Sequence, residues 1–415
     1  MNAERLAPLK PNLSVPGPRP GASVATHPAV DEHQARLRAE ELQAWAYVSL
    51  YTDPKGARRS ARAALDLARV GRFPASEAWS ALSLALAYLH AGVLATGSAW
   101  LTRAEALIMQ LEDPRAAWLA ADARALQMLR QDRPDDALIE LMRLMIGTPD
   151  TRPARDCYIT ASTLTNAHAA LGHAEEALGA AYRALSIARR TRSMGLRIHA
   201  MGVLGRVQLD LCNLEGACLA LEQSLEGARR IGSSHLGRAA AADLVRACSA
   251  RGNIERATEL ARRHLPGAPR SARQAVALAQ ACLLDGRGAE VETALAAWPK
   301  DDGCGVARAW IRARLRLASG EPEKALACAL SGERALTPAT PPLDAIEVLS
   351  VLNAALTALG DRSGAAKAEA GRVERQAALA AAAQRAQTLS QQFEETLLQA
   401  HPVCCEVAGR LCVTN

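Results

Sequence analysis

Ala170-Leu171-Gly172-His173-Ala174-Glu175-Glu176-Ala177-Leu178 contains the end of one helix, the turn that stops it and the start of the next. The glycine ends the first helix because a left-handed residue is cheapest without a Cβ. The phrase returns as Ala250-Arg251-Gly252-Asn253-Ile254-Glu255-Arg256-Ala257 and again as Ala318-Ser319-Gly320-Glu321-Pro322-Glu323-Lys324-Ala325-Leu326. Anchoring on the small residue of the second helix gives Ala57, Gly97, Ala137, Ala177, Ala217, Ala257, Val291, Ala325 and Ala365. The steps between them are 40, 40, 40, 40, 40, 34, 34 and 40 residues. A period this regular is the signature of a stacked repeat, each unit being a helix, a tight turn and a second helix.

The columns around the anchor have physical roles. Five residues before it stand Gly92, Gly172, Gly252, Gly286, Gly320 and Gly360, closing helix A. The next position holds Asp53, Asn213, Asn253 and Asp361, whose short side chains accept from the free amides opening helix B. Pro54, Pro134 and Pro322 follow, tolerated where a missing amide leaves no bond unmade. Further prolines, among them Pro74, Pro114, Pro266 and Pro342, are expected in the loops between units.

These columns, with Leu204-Gly205 and Ala184-Leu185, resemble the tetratricopeptide repeat (TPR). The mostly 40-residue step is similar to the long variant in the sensor regions of bacterial LuxR-family regulators and in kinesin light chains. The resemblance implies an all-α fold, a right-handed superhelical solenoid of about nine antiparallel helix pairs over residues 31–375. Composition agrees: 49% of the chain is hydrophobic but only 3% aromatic, so its interior is built from Ala and Leu.

Residues 1–30 carry Pro8, Pro11, Pro16, Pro18, Pro20 and Pro28 and no apolar run, which predicts a disordered leader and neither signal peptide nor membrane span. The ten cysteines include Cys212, Cys218, Cys248, Cys282 and Cys328 at helical sites that suit a small apolar side chain, which fits a reducing cytoplasm. The charge of +6, from 49 basic and 43 acidic residues, is spread thinly, so no nucleic-acid partner is expected.

No phosphate-binding loop, nucleophile elbow, His-Glu-x-x-His or Cys-x-x-Cys pair occurs, so neither catalysis nor a cofactor or metal is expected. Cys404, Cys405 and Cys412 stand in a tail, 401–415, read as flexible, since adjacent cysteines chelate one tetrahedral metal badly. Arg189-Arg190, Arg229-Arg230 and Arg262-Arg263 end B helices, where free carbonyls favour cations.

Helix A of a TPR lines the concave wall, and the resemblance puts one groove column eleven residues before the anchor. It reads Ala46, Leu86, Leu126, Asn166, Arg206, Arg246, Gln280, Arg314 and Ala354, passing from apolar to basic. Trp79, Leu82 and Leu89 would extend its apolar end, while the arginines would suit forked pairing with carboxylates or phosphates. The expected groove is therefore Trp79, Leu82, Leu86, Leu89, Asn166, Arg206, Arg246, Gln280 and Arg314.

Beyond Gly360 the last B helix continues to residue 400, with Leu379, Ala386, Phe393 and Ala400 seven apart and Ala382, Leu389 and Thr396 between them. Residues 376–400 read as a solenoid cap or a coiled-coil helix pairing a homodimer. The sequence thus points to a non-catalytic module, a scaffold, adaptor or regulatory sensor, holding a protein or peptide in its groove, an acidic one being favoured by the arginines. The alternative is the sensor half of a diguanylate cyclase or transcription regulator lacking its output domain.

Overall fold

The computed structural model describes residues 28–146, 152–269, 271–298, 305–337 and 340–400. Leader residues 1–27 and the tail with Cys404, Cys405 and Cys412 lie outside the described residues. Eighteen helices form nine pairs among the described residues. The A helices are α1 (Pro28–Ser49), α3 (Pro74–His90), α5 (Pro114–Arg130), α7 (Ala154–Ala170), α9 (Met194–Asp210), α11 (Ser234–Ala250), α13 (Ala272–Leu284), α15 (Gly305–Ala318) and α17 (Pro342–Ala358). The B helices are α2 (Pro54–Val70), α4 (Leu94–Ile108), α6 (Pro134–Ile146), α8 (Ala174–Arg190), α10 (Leu214–Arg230), α12 (Ile254–His264), α14 (Gly288–Ala296), α16 (Pro322–Arg334) and α18 (Arg362–Ala400). Each pair is antiparallel, and the pairs stack as a solenoid. No described helix is long and apolar enough to cross a membrane.

Helix α8 shows why these residues fold this way. Glu175 and Glu176 occupy its first turn and Arg189 and Arg190 its last, each set complementing the helix dipole. Ala177, Leu178, Ala181, Tyr182, Ala184, Leu185 and Ala188 recur at three- and four-residue intervals and are buried. Burying Leu178 and Leu185 contributes about 1.5 to 3 kcal/mol each. The alanines contribute less, and their role is to let helix axes approach.

All nine anchors are buried. At Gly97 even a methyl group would be too much, since a Cβ there would lie 2.8 Å from the Leu89 side chain and 3.1 Å from its backbone nitrogen. The turns behave as their residues dictate: Asp53, Asn213, Asn253 and Asp361 accept from the amides of Gly56, Gly216, Arg256 and Gly364. The six closing glycines all have φ between 70° and 80°. Asp132 and Cys212 hold the same position at φ 59° and 55°, left-handed conformations that a side chain makes less favourable. Three prolines expected in loops, Pro74, Pro114 and Pro342, are instead the first residues of A helices.

The two 34-residue steps have a simple cause. Helices α8 to α11 are 17 residues each, whereas α13, α14, α15 and α16 have 13, 9, 14 and 13. Each has lost about one turn of 3.6 residues or more.

Helix α18 runs on for 39 residues and returns to α8. Phe393 stacks on Tyr182 with ring centroids 5.2 Å apart, the Tyr182 hydroxyl donates to Glu394 at 3.1 Å, and Arg385 pairs with Glu175 at 2.8 Å. Ala386 is fully buried in the same cluster, with Leu389 packed beside it. The middle of the seven-residue seam, Ala386, Leu389 and Phe393, thus packs against this chain's own fourth pair. An apolar stripe finds the nearest apolar partner, and a tethered one comes first.

Candidate partner-binding site

Units three, four and five pairs apart in the chain touch one another, as on the inner wall of a tightly wound superhelix. The Tyr47 hydroxyl of α1 donates to Asp156 of α7 at 2.5 Å. The Tyr51 ring lies 4.2 Å from the His199 ring of α9 and 5.8 Å from that of Tyr158. Ser233, capping α11, donates to the Thr52 carbonyl at 2.7 Å. These residues belong to A helices or the turns beside them, so the inner wall is the A-helix wall.

The wall has two regions. In the first, from α1 to α9, a neutral plug fills the axis. Tyr51 packs among His90, Tyr158 and His199, and the Tyr158 hydroxyl shares a hydrogen bond with His199 Nδ1. Burial pushes His90 down to about 3, helped by the Arg130 and His235 charges, and holds His199 well below its usual range. Asp122 is fully buried, accepts from Thr163 at 3.1 Å and has no cation against it, so burial pushes its carboxyl up to about 7. At neutral pH both histidines are uncharged.

The apolar end of the expected groove is therefore not open. Leu82, Leu86 and Leu89 are core residues, buried behind the wall, and the assignment of these three as contact residues is corrected. They face the B helices because the leucines of an Ala-rich repeat are its main source of buried area. Trp79 is half-buried: its Nε1 donates to Asp113 at 3.0 Å and the Arg115 guanidinium covers its ring at 4.9 Å.

The second region, from α7 to α17, is charged. Arg206 donates to Asn166 Oδ1 at 2.5 Å, so these two expected residues are joined. Around Arg206 stand Arg130, Arg273, Asp210 and Asp243. Burial, and then the Arg273 charge, push the Arg206 guanidinium down to about 10. Arg130, which donates to the Leu89 carbonyl at 3.1 Å, is pushed down by burial and by Arg273. Arg273 itself lies 3.4 Å from Asp243. Gln280 is half-buried on α13.

Two expected contact residues are engaged within the chain. Arg246 pairs with Asp344 at 2.8 Å, and the Trp310 indole donates to the same carboxylate at 3.1 Å. Arg314 Nε donates to Glu347 at 2.8 Å. Both arginines hold α17 in place, which corrects their reading as groups waiting for a partner. Four residues of this cluster were missed in the sequence: Arg130, Asp210, Asp243 and Arg273. Their signal was available, because positions 18, 14 and 7 before the anchor share a helix face with position 11. Arg273 and Asp243 occupy the first two of these columns, and Arg130 and Asp210 the third.

No protein-family model matches this chain, and no curated protein does. Among solved structures, a Rap protein complexed with competence and sporulation factor matches with a TM-score of 0.56 at 14% identity, over 84% of this chain and 99% of that one. A tetratricopeptide repeat protein from Parabacteroides merdae matches with a TM-score of 0.38 at 16% identity, over 67% of this chain and 98% of that one. At these identities the first likeness is one of fold, and it is to the tetratricopeptide-type helical repeat.

Proposed function

We propose that this chain is a non-catalytic cytoplasmic module, an adaptor or regulatory sensor, that holds an acidic protein segment against its inner wall beside Arg206. One observation carries the proposal: Arg206 is enclosed in the wall and its hydrogen bond goes to a neutral amide, while two further guanidiniums, Arg130 and Arg273, stand beside it. A carboxylate entering there meets donors already oriented and relieves repulsion between the arginines. The Rap protein of similar fold was crystallised with competence and sporulation factor, which supports a polypeptide ligand. The alternative, a sensor half whose last helix leads to an output domain, is less favoured because the seam of α18 is engaged with α8.

The test is an array of acidic peptides beside copies in which Gln replaces each Glu, probed with the full chain. Binding is expected only to the acidic set, weakening as salt rises. Arg206→Ala is expected to lose about 1 to 3 kcal/mol of affinity while its helical spectrum persists. Arg229 and Arg230 end α10 and both pair with Glu226 outside the wall, so reversing both to Glu should leave affinity unchanged. If that control abolishes binding and Arg206→Ala does not, the inner wall is not the site.

A further inference from the structure

Cys218 follows the anchor Ala217 on α10, and Cys248 lies on α11 nine residues before the anchor Ala257. Ala217 of α10 and Ala247 of α11 lie in the contact between the two helices, both fully buried, so nothing bulky holds the axes apart at this point. The two thiols belong to one buried cluster, and the Arg251 guanidinium stands beside Cys218. Both line a cavity of about 260 Å³ whose other walls are Glu222, Arg251, Asn253 and Arg256. A cysteine that merely fills space has apolar neighbours and no route to solvent. Cys282, at the corresponding position one repeat on, has no such route: it is fully buried, donates to Glu290 at 3.8 Å, and burial pushes its thiol up.

We propose that Cys218 and Cys248 form a redox dithiol that closes to a disulfide when a hydroperoxide enters this cavity. The neighbouring Cys248 thiol, and then the Arg251 guanidinium, hold the Cys218 thiol below its ordinary range, so Cys218 is the nucleophile, while Cys248 is pushed up and keeps its proton. The Cys218 thiolate attacks the terminal peroxide oxygen. An S–O bond forms, the O–O bond breaks, and the departing alkoxide takes a proton to leave as an alcohol, or as water from hydrogen peroxide. Cys248 then attacks the sulfur of the Cys218 sulfenic acid. The S–S bond forms, the S–O bond breaks, and hydroxide leaves with the Cys248 proton as water. Two thiols have given two electrons to one hydroperoxide, which is the oxidant this step needs. Arg251 and Arg256 at the cavity wall favour both the thiolate and the oxygen anion leaving it.

The reduced full chain is treated with one equivalent of hydrogen peroxide, its remaining thiols are alkylated, and its peptides are mapped. One Cys218–Cys248 linkage is expected, lost again on adding reductant. In the unoxidised chain, iodoacetamide at neutral pH should reach Cys218 roughly tenfold faster than Cys282. Cys248→Ser should stop at a sulfenic acid on Cys218 that dimedone traps. The first two measurements use the unaltered chain, so a misfolded variant cannot decide the matter. Recovery of both thiols intact, over-oxidation of Cys218 without a linkage, or equal labelling of Cys218 and Cys282 would each overturn the proposal.

Discussion

Asp156 and Asp344 occupy the same place in two different units, 21 residues before the anchors Ala177 and Ala365. Each lies in the first turn of an A helix, each is buried, and each reaches back three pairs, Asp156 to Tyr47 on α1 and Asp344 to Arg246 on α11. Each is also held by the A helix immediately before its own, through Arg115 and Trp310 respectively. Both close one turn of the superhelix, over 109 residues in the first case and 98 in the second, the difference arising from the two 34-residue steps. What differs is where the positive charge stands. At Asp156 the cation is Arg115, with 45% of its side chain exposed at the rim, and the inner donor is a neutral tyrosine. At Asp344 the inner donor is itself the cation, Arg246, only 11% exposed against a carboxylate that is 7% exposed. One architecture can thus be closed by a rim charge or by a buried one, with different consequences for removal.

Deleting the buried cation is expected to have the largest effect. Arg246→Ala leaves the Asp344 carboxylate with only the Trp310 N–H, and should lower unfolding free energy by about 3 to 5 kcal/mol in a denaturant titration. A loss below about 1 kcal/mol would show that the two closures do not differ.

Acid should act on the first region rather than the second, because His90 and His199 stand in the neutral plug. Their folded values lie below the unfolded one, so the native state stays deprotonated while the unfolded chain takes up protons as pH falls below about 6.5. Stability contributed there is present above that pH and lost beneath it, at about 1.4 kcal/mol per pH unit for each histidine. Asp122 works in the opposite sense, its raised carboxyl favouring the fold as pH drops from about 7. Asp122 therefore offsets one of the two histidines, and the other sets the net direction. Replacing both histidines with Gln should remove the acid-driven loss in melting curves, and an unchanged slope would place the titrating groups elsewhere.

The smallest effect is expected at the rim. Arg115→Ala takes away a cation already half in solvent and leaves the buried Asp156 carboxylate its Tyr47 donor, so the loss should stay within about 1 to 3 kcal/mol, below that at Arg246. If thermal melting shows Arg115→Ala as damaging as Arg246→Ala, exposure of the cation does not explain the difference between the two closures.

The repeat, its nine anchors, the capping residues and the left-handed glycines were legible because each follows from neighbours a few residues away. The wall was legible in part. One column named Asn166 and Arg206, which the fold joins, and also Arg246 and Arg314, which it spends on α17. Nothing local distinguishes these two kinds of arginine, since Asp344 lies 98 residues from Arg246 and superhelical pitch decides whether they meet. The same holds for Leu82, Leu86 and Leu89: a column reading gives a direction around the helix, while burial depends on how closely the next unit approaches.

The return of α18 to α8 bears on how the chain is made and lost. An array whose units touch only their neighbours can be assembled one unit at a time behind the ribosome and can fray from either end. Here Tyr182 waits for Glu394, 212 residues later, and Thr52 waits for Ser233, 181 residues later. The fourth pair is therefore left unfinished until Glu394 has been translated, exposing Tyr182 to misassembly in the interval. Once formed, the same long connections tie early units to late ones. Loosening either end then loosens the middle, and the fold gives way as one cooperative body, in contrast to the piecewise melting of an unbraced solenoid.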